Sequence, residues 1–263
     1  MKRPDMNRYE DAWTAEVYDY EIAGDWGIRD VGFYLSLANE LPGPVLELAC
    51  GTGRVALPLA RGGARVIGLD ISPHMLAVAQ RKLDAEEPAV RERVRLVQAD
   101  MSSFALRERF ALILIPFRAF QALLTRDEQR GCLRCCREHL LADGRLAINV
   151  FNPRLSRLAQ GEREEGPEEF TGPDDTTVIW SATTTFDLAR QLLRSACRYE
   201  HTSAAGERTV RKHLLEIRYL FRFEMEWMLE SCGFEVDALY GDFERSPFTA
   251  ESPEIIVVAR NAP

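Results

Sequence analysis

The residues best suited to chemistry gather around one glycine turn. In "LELACGTGRVALPLA", residues 46–60, an apolar run ends in Gly51 and Gly53, and Asp70 closes the next apolar run, "ARVIGLD". Glycines let a chain turn sharply and let a ligand touch backbone, and an acid about twenty positions on suits the hydroxyls of a ribose. Gly51, Thr52, Gly53, Arg54, Val55 and Ala56 have the form G-x-G-x-x-A. NAD, FAD and S-adenosylmethionine could each use such a turn.

Glu47 separates them. A dinucleotide brings a doubly negative pyrophosphate to the helix start, where a carboxylate just ahead of the turn repels it. S-adenosylmethionine carries an ammonium and a sulfonium, and there the acid becomes favourable. A third acid follows in "VQADMSSF": Asp100 can accept from an adenine amine while the amide of Met101 donates to the ring. Its alternative role is a cap or a surface aspartate.

Other candidates are scattered. His213 lies in "TVRKHLLEIRYLF" on one period-two face with Leu215, Ile217 and Tyr219, where it could reach a substrate as a base or simply pack. Arg118 interrupts "IPFRAF" and could pair with a substrate anion or with an acid of the N-terminal segment. Tyr18, Tyr219 and Arg222 are candidates of the same kind, and His74 and His139 read as surface or capping residues. "CLRCC" has one C-x-x-C spacing without a second ligand pair nearby, so its thiols read as one face of a helix and no metal is expected.

Composition narrows the partners. The 263 residues carry a formal net charge of −8, which disfavours a phosphate backbone and favours a small-molecule substrate. No run approaches the roughly 18 to 20 apolar residues that span a bilayer, and "MKRPDMNRYEDAW" lacks a signal-peptide pattern. The expectation is a cytoplasmic chain with no membrane partner; the sequence leaves the oligomeric state open.

The elements that must hold these residues alternate. Short apolar runs, "PVLELA", "ARVIGLD", "VRLVQAD", "ALILIP" and "GRLAINVF", are separated by helical stretches. That rhythm predicts an α/β fold with a doubly wound, parallel, Rossmann-like sheet covered on both faces. Ser72 before Pro73 predicts a helix start, and Gly144 a helix stop. Ahead of the sheet, residues 1–43 form an aromatic-rich helical cap, including Tyr9, Trp13, Tyr18, Tyr20, Trp26, Phe33 and Tyr34. The expected core is 44–151, followed at 152–219 by an insert with an exposed polar loop at 152–175 and antiparallel strands. Residues 220–263 complete the core, with "FEMEWMLESCGF" a helix stopped by Gly233.

The series "ELACGTGR", "GLDISPHMLAVAQ", "VQADMSSF" and "LLADGRLAINVFNP" resembles the successive motifs of class I S-adenosylmethionine-dependent methyltransferases. The resemblance implies a seven-stranded sheet whose last strand, "EIIVVAR", runs antiparallel. It implies S-adenosylmethionine as cofactor, with Glu47, Ala49, Gly51, Gly53 and Arg54 around the methionine part and Asp70, Ile71 and Met75 around the ribose and adenine. Asp100 and Met101 would hold the adenine edge, Ile115 would line the transfer channel, and Tyr18 would close over the cofactor. The aromatic N-terminus and the β insert resemble small-molecule enzymes, including sugar and glycine-type N-methyltransferases. "PFRAFQALL" departs from the Asn/Asp-Pro-Pro-aromatic tetrapeptide of base and amino-group methyltransferases. The expected activity is methyl transfer to nitrogen or oxygen of a small acceptor, the alternatives being an RNA methyltransferase, a non-catalytic binding protein or an NAD-dependent oxidoreductase.

Overall fold

The computed structural model describes residues 11–23, 30–203 and 205–263; Tyr9 and Trp26 of the aromatic segment lie outside the described residues. In chain order come α1 (Ala12–Ala23), α2 (Val31–Glu40), β1 (Val45–Leu48), α3 (Ala56–Arg61), β2 (Val66–Asp70), α4 (Pro73–Asp84), α5 (Pro88–Arg91) and β3 (Val94–Gln98). Then follow β4 (Phe110–Ile115), α6 (Arg126–His139), β5 (Leu140–Phe151), α7 (Leu155–Leu158), β6 (Arg163–Thr171), β7 (Thr177–Asp187), β8 (Leu192–Thr202) and β9 (Arg208–Arg218). The chain ends with α8 (Arg222–Ser231), β10 (Phe234–Tyr240) and β11 (Glu254–Asn261).

Seven strands form one sheet in the order β10-β11-β5-β4-β1-β2-β3. Strands β1 to β5 pair in parallel, and β11 runs antiparallel to both β5 and β10. Side chains alternate across the sheet, so β1 sends Leu46 and Leu48 to one face and Val45 and Glu47 to the other. The first face packs Cys132, Leu133 and Cys136 of α6 and Met225 and Leu229 of α8. The second packs Phe33, Tyr34 and Leu37 of α2 and Leu59 of α3. Burial on both faces explains why β1, β2 and β4 read as continuous apolar runs.

Local signals set the helix starts. The Ser72 hydroxyl accepts from the Met75 amide at 3.3 Å, with Pro73 in the first helical position. Thr125 and Glu128 form a reciprocal capping box on α6, at 3.2 and 2.8 Å, a pairing that satisfies two otherwise free amides. The stop of α6 falls at His139 and not at Gly144. Gly144 lies within β5, where a Cβ would sit 2.9 Å from the Phe110 carbonyl oxygen. It is there for close strand approach.

The second sheet is antiparallel, in the order β6-β7-β8-β9. Here 152–175 is not simply a loop, because Arg163–Thr171 forms the edge strand β6. Its charged, mostly exposed pattern gives no period-two apolar signal, and charge on an edge also discourages pairing with other chains. Trp13 of α1 packs against the inner face of this sheet, its ring 5.4 Å from Tyr199 and edge-on. Ala15 and Tyr18 pack with Met75 and Val78 of α4. Helix α1 thus bridges the two sheets.

Candidate active site

A cavity of about 250 Å³ opens where β1, β2 and β4 end, roofed by α1 and β9. Its floor is the glycine turn and the end of β2: Ala49, Gly51, Asp70, Ile71 and Met75. Its side wall is Met101 and the segment after β4, including Pro116, Phe117 and Arg118. Its roof is Tyr18, Glu21 and Ile22 of α1 with Leu215 and Ile217 of β9. Open α/β sheets bind ligands at this end, outside the carboxyl ends of the strands.

The turn depends on left-handed backbone. Ala49, Gly51 and Gly53 have φ of 55°, 54° and 78°, a region that favours glycine. At Gly53 a Cβ would also approach Leu57 Cγ to 3.3 Å. Gly53 itself lies outside the cavity lining and acts by shaping the turn.

Asp70 ties the two floor loops together. Its Oδ2 accepts from the Gly51 amide and its Oδ1 from the Ser72 amide, each at 2.8 Å. Burial pushes its carboxyl above the ordinary aspartate value, opposed by the amides of Ser72, Gly51 and Ile71. Each oxygen retains a lone pair after one hydrogen bond, so the carboxylate can still accept from a vicinal diol. Beside it Ile71 is 61% exposed, a flat apolar ledge at the cavity's lip.

Glu47 sits lower than a ligand contact would place it. It is buried beneath the turn, outside the cavity lining, and its Oε2 has no hydrogen-bond partner. Burial pushes its carboxyl well above the ordinary value, an effect reduced by the Arg54 guanidinium and reinforced by Asp30. Arg54 also lies outside the lining. It forms a two-pronged pair with Asp30 at 2.6 and 2.7 Å, over the Phe117 ring at 5.3 Å.

The remaining sequence candidates divide. Tyr18, Ile71, Met75, Met101 and Arg118 line the cavity, whereas Asp100, Ile115, His213 and Tyr219 do not. Asp100 is an exposed aspartate that accepts from the Ser102 amide at 2.7 Å within a turn. Ile115 is fully buried in the core. His213 shares its strand face with Leu215 and Ile217 but stops short of the cavity, buried 5.8 Å from the Tyr199 ring and 3.8 Å from Asp11. Tyr219 is buried beyond the end of β9, its ring edge-on to Phe221.

Arg118 is paired within the chain. Its Nη2 donates to Glu254 Oε1 at 2.6 Å, so its acid comes from β11 and not from the N-terminal segment. Phe117 and Arg118 both have left-handed φ, 50° and 64°. Each such non-glycine residue costs on the order of 1 kcal/mol or more, and such strain collects at ligand sites. His139 is also not a surface residue: it is buried, its Nε2 accepting from the Leu106 amide at 2.8 Å and its Nδ1 donating to the Cys135 carbonyl at 2.7 Å.

Sequence reasoning missed Glu21, Ile22, Phe117, Leu215 and Ile217 as lining residues. Tyr18, Glu21 and Ile22 have the i, i+3, i+4 spacing of one helix face, and Leu215 and Ile217 share the strand face that drew attention to His213. Both signals were present; only the tertiary arrangement brings the two faces together.

The floor fits S-adenosylmethionine on its own features. A carboxylate able to accept from a diol, an apolar ledge beside it and left-handed backbone at Ala49 and Gly51 suit a ribose, an adenine and the close approach of a methionine part. Residues 45–144 match the family model described as a methyltransferase domain. The chain is 27% identical over 218 residues to the cypemycin N-terminal methyltransferase of a Streptomyces species, covering 81% of each chain. The chain is an S-adenosylmethionine-dependent methyltransferase. Its structure is similar to that of the CcbJ methyltransferase from Streptomyces caelestis, with a TM-score of 0.80, 28% identity, and 99% of this chain and 100% of that one covered. The methyltransferase also shares its fold with the S-adenosylmethionine-bound amino pentose methyltransferase CalS10 from Micromonospora echinaspora, with a TM-score of 0.70, 21% identity, and coverage of 93% and 96%. Among the described residues no group of histidines, cysteines and acids gathers into a metal site, and no helix is long and apolar enough to cross a membrane.

Proposed function

We propose that this methyltransferase methylates an amino nitrogen of a small-molecule acceptor held between the glycine-turn floor and the α1–β9 roof. The observation that carries the reading is the roof itself. Tyr18, Glu21 and Ile22 with Leu215 and Ile217 roof the cavity, leaving a cleft lined mostly by side chains and not a broad surface for a polymer. Among its relatives, the cypemycin enzyme is an N-terminal methyltransferase and CalS10 is an amino pentose methyltransferase, both with amine-bearing substrates.

When bound, S-adenosylmethionine supplies a sulfonium methyl group open to in-line attack. Asp70 would accept from its ribose hydroxyls, Ile71 and Met101 would flank its adenine, and the Ala49–Gly51 backbone would hold its methionine part. The apolar roof excludes water, and Phe117 and Tyr18 hold the acceptor close to the methyl carbon. Holding reactants in place this way can supply several kcal/mol of the barrier reduction. A neutral amine needs no base to attack, which agrees with His213 standing outside the lining.

An acceptor screen with labelled methyl donor tests this. Amino sugars and aminoacyl compounds should take label, and their hydroxyl counterparts should not. Label going into the hydroxyl set or into RNA alone would refute the proposal.

A further inference from the structure

The side wall of the cavity is a strained turn. After β4 the chain runs through Pro116, Phe117 and Arg118 into a short 3-10 turn, Ala119–Ala122, and Phe117, Arg118, Ala119 and Ala122 all line the cavity. Phe117 and Arg118 have left-handed φ, 50° and 64°, a conformation that persists in residues with side chains only where the surroundings enforce it. Within the turn the amides of Ala119, Gln121 and Leu123 donate to the carbonyls of Pro116, Arg118 and Phe120, at 3.1, 2.9 and 3.2 Å.

The enforcing groups come from β5 and β11. Glu254, the first residue of β11, is 7% exposed. Its Oε1 accepts from Arg118 Nη2 at 2.6 Å, and its Oε2 accepts from Arg118 Nε at 3.4 Å and from Asn149 Nδ2 at 3.1 Å. Asn149 of β5 is buried, and its Oδ1 accepts from the Tyr34 hydroxyl at 3.0 Å and from the Arg118 amide at 3.4 Å. Arg118 is thus held through its side chain by Glu254 and through its backbone by Asn149. A buried carboxylate needs such partners to offset its desolvation, so the pairing of Glu254 and Arg118 resists opening. Neither Glu254 nor Asn149 lines the cavity; both reach a ligand only through the wall.

Resting on the reading above that Phe117 holds the acceptor, we infer that Glu254 is a positioning residue for methyl transfer. Acting through Arg118, and with Asn149, it fixes the left-handed turn that brings Phe117 to the cavity. The next residue back from Arg118 is Phe117, whose ring also lies under the Arg54 guanidinium at 5.3 Å. In-line attack depends on the acceptor standing close to the methyl carbon in the correct direction, and a small displacement of a positioning group lowers the rate steeply. Releasing the turn therefore slows transfer and leaves the cofactor floor intact.

The test separates the wall from the floor. Amide hydrogen exchange, read by mass spectrometry, would be followed in peptides covering 116–123 and 45–55 of the native protein, Glu254→Gln, Glu254→Asp and Arg118→Met. Methyl transfer to the acceptor that takes label would be measured alongside. Glu254→Gln should raise exchange in 116–123 by about tenfold or more, the scale of one charged hydrogen bond, with 45–55 unchanged. Its kcat should fall by a similar factor while the KM for S-adenosylmethionine stays as in the native protein, and Glu254→Asp, which keeps the charge, should recover part of both. Should Glu254→Gln fail to fold, Arg118→Met breaks the same link from its more exposed end and decides the matter by the exchange pattern. Unchanged exchange in 116–123 overturns the inference, as does an equal rise in both peptides, which would make Glu254 a general support of the sheet. Faster exchange in 116–123 with kcat unaltered also overturns it, because the turn would then not position the acceptor. If both shifts occur but the labelled acceptor is an alcohol or RNA, the amine-acceptor reading fails and Glu254 keeps its role at the wall.

Discussion

The two walls of the cavity are built in different ways. The floor grows from β1 and β2, every residue of which is buried, and its ligand-facing groups are backbone and one carboxylate tied by two amides. The roof on α1 combines apolar packing, of Trp13 on Tyr199 and of Ala15 and Tyr18 on Met75 and Val78, with polar contacts. On α1, Asp19 accepts from the Thr52 hydroxyl at 2.6 Å and from Lys82 at 2.8 Å, and Glu16 pairs with Arg81. A deeply packed floor suits a cofactor common to many enzymes, whereas a roof with small apolar clusters and surface ion pairs can change its lining residues at less cost in core stability.

The largest effect should come from the floor. Asp70→Ala removes the proposed diol acceptor and the link between the two loops, and S-adenosylhomocysteine affinity should fall by about 1 to 3 kcal/mol in calorimetry. An unchanged affinity would show that the floor does not hold the ribose through this residue.

An intermediate effect is expected beneath the turn. Burial raises the Glu47 carboxyl well above its ordinary value, so its favourable contribution is complete below the unfolded-state value and is lost as pH rises through the folded-state value. The melting temperature of the native protein should decline across that window, at no more than about 1.4 kcal/mol per pH unit from this group. Glu47→Gln has no proton to lose and should decline less, ending more stable than native above the window. Asp70, also raised, contributes in the same sense and remains in both proteins.

The smallest effect should come from the roof's attachment. Asp19 and Lys82 are 34% and 36% exposed, so their pair contributes about 0.2 to 1 kcal/mol at most. Lys82→Ala, which leaves the hydrogen bond from Thr52 to Asp19 in place, should speed S-adenosylhomocysteine release a few-fold in stopped flow with little change in melting temperature, and high salt should narrow the difference from native. A loss of stability comparable to a core substitution would erase the distinction between the walls.

The contrast also explains what could be read from the chain. The floor is specified locally: "ELACGTGR" contains its own turn, and Ser72-Pro73 its own helix start. The β9 face was legible from period-two alternation, yet which of His213, Leu215 and Ile217 would meet the ligand depends on where the strand crosses the cavity. Glu21 was not legible, because nothing local distinguishes a helical glutamate facing solvent from one facing a cavity. The same holds for His139, whose partner Leu106 is distant in sequence. Strand β6 was hidden because both its faces are largely exposed, so no hydrophobic period marks it.

The most direct test of the account is a calorimetric titration of the native protein with S-adenosylhomocysteine and, separately, with NAD. The floor described here predicts saturable binding of S-adenosylhomocysteine and none of NAD. Binding of NAD without binding of S-adenosylhomocysteine would contradict it.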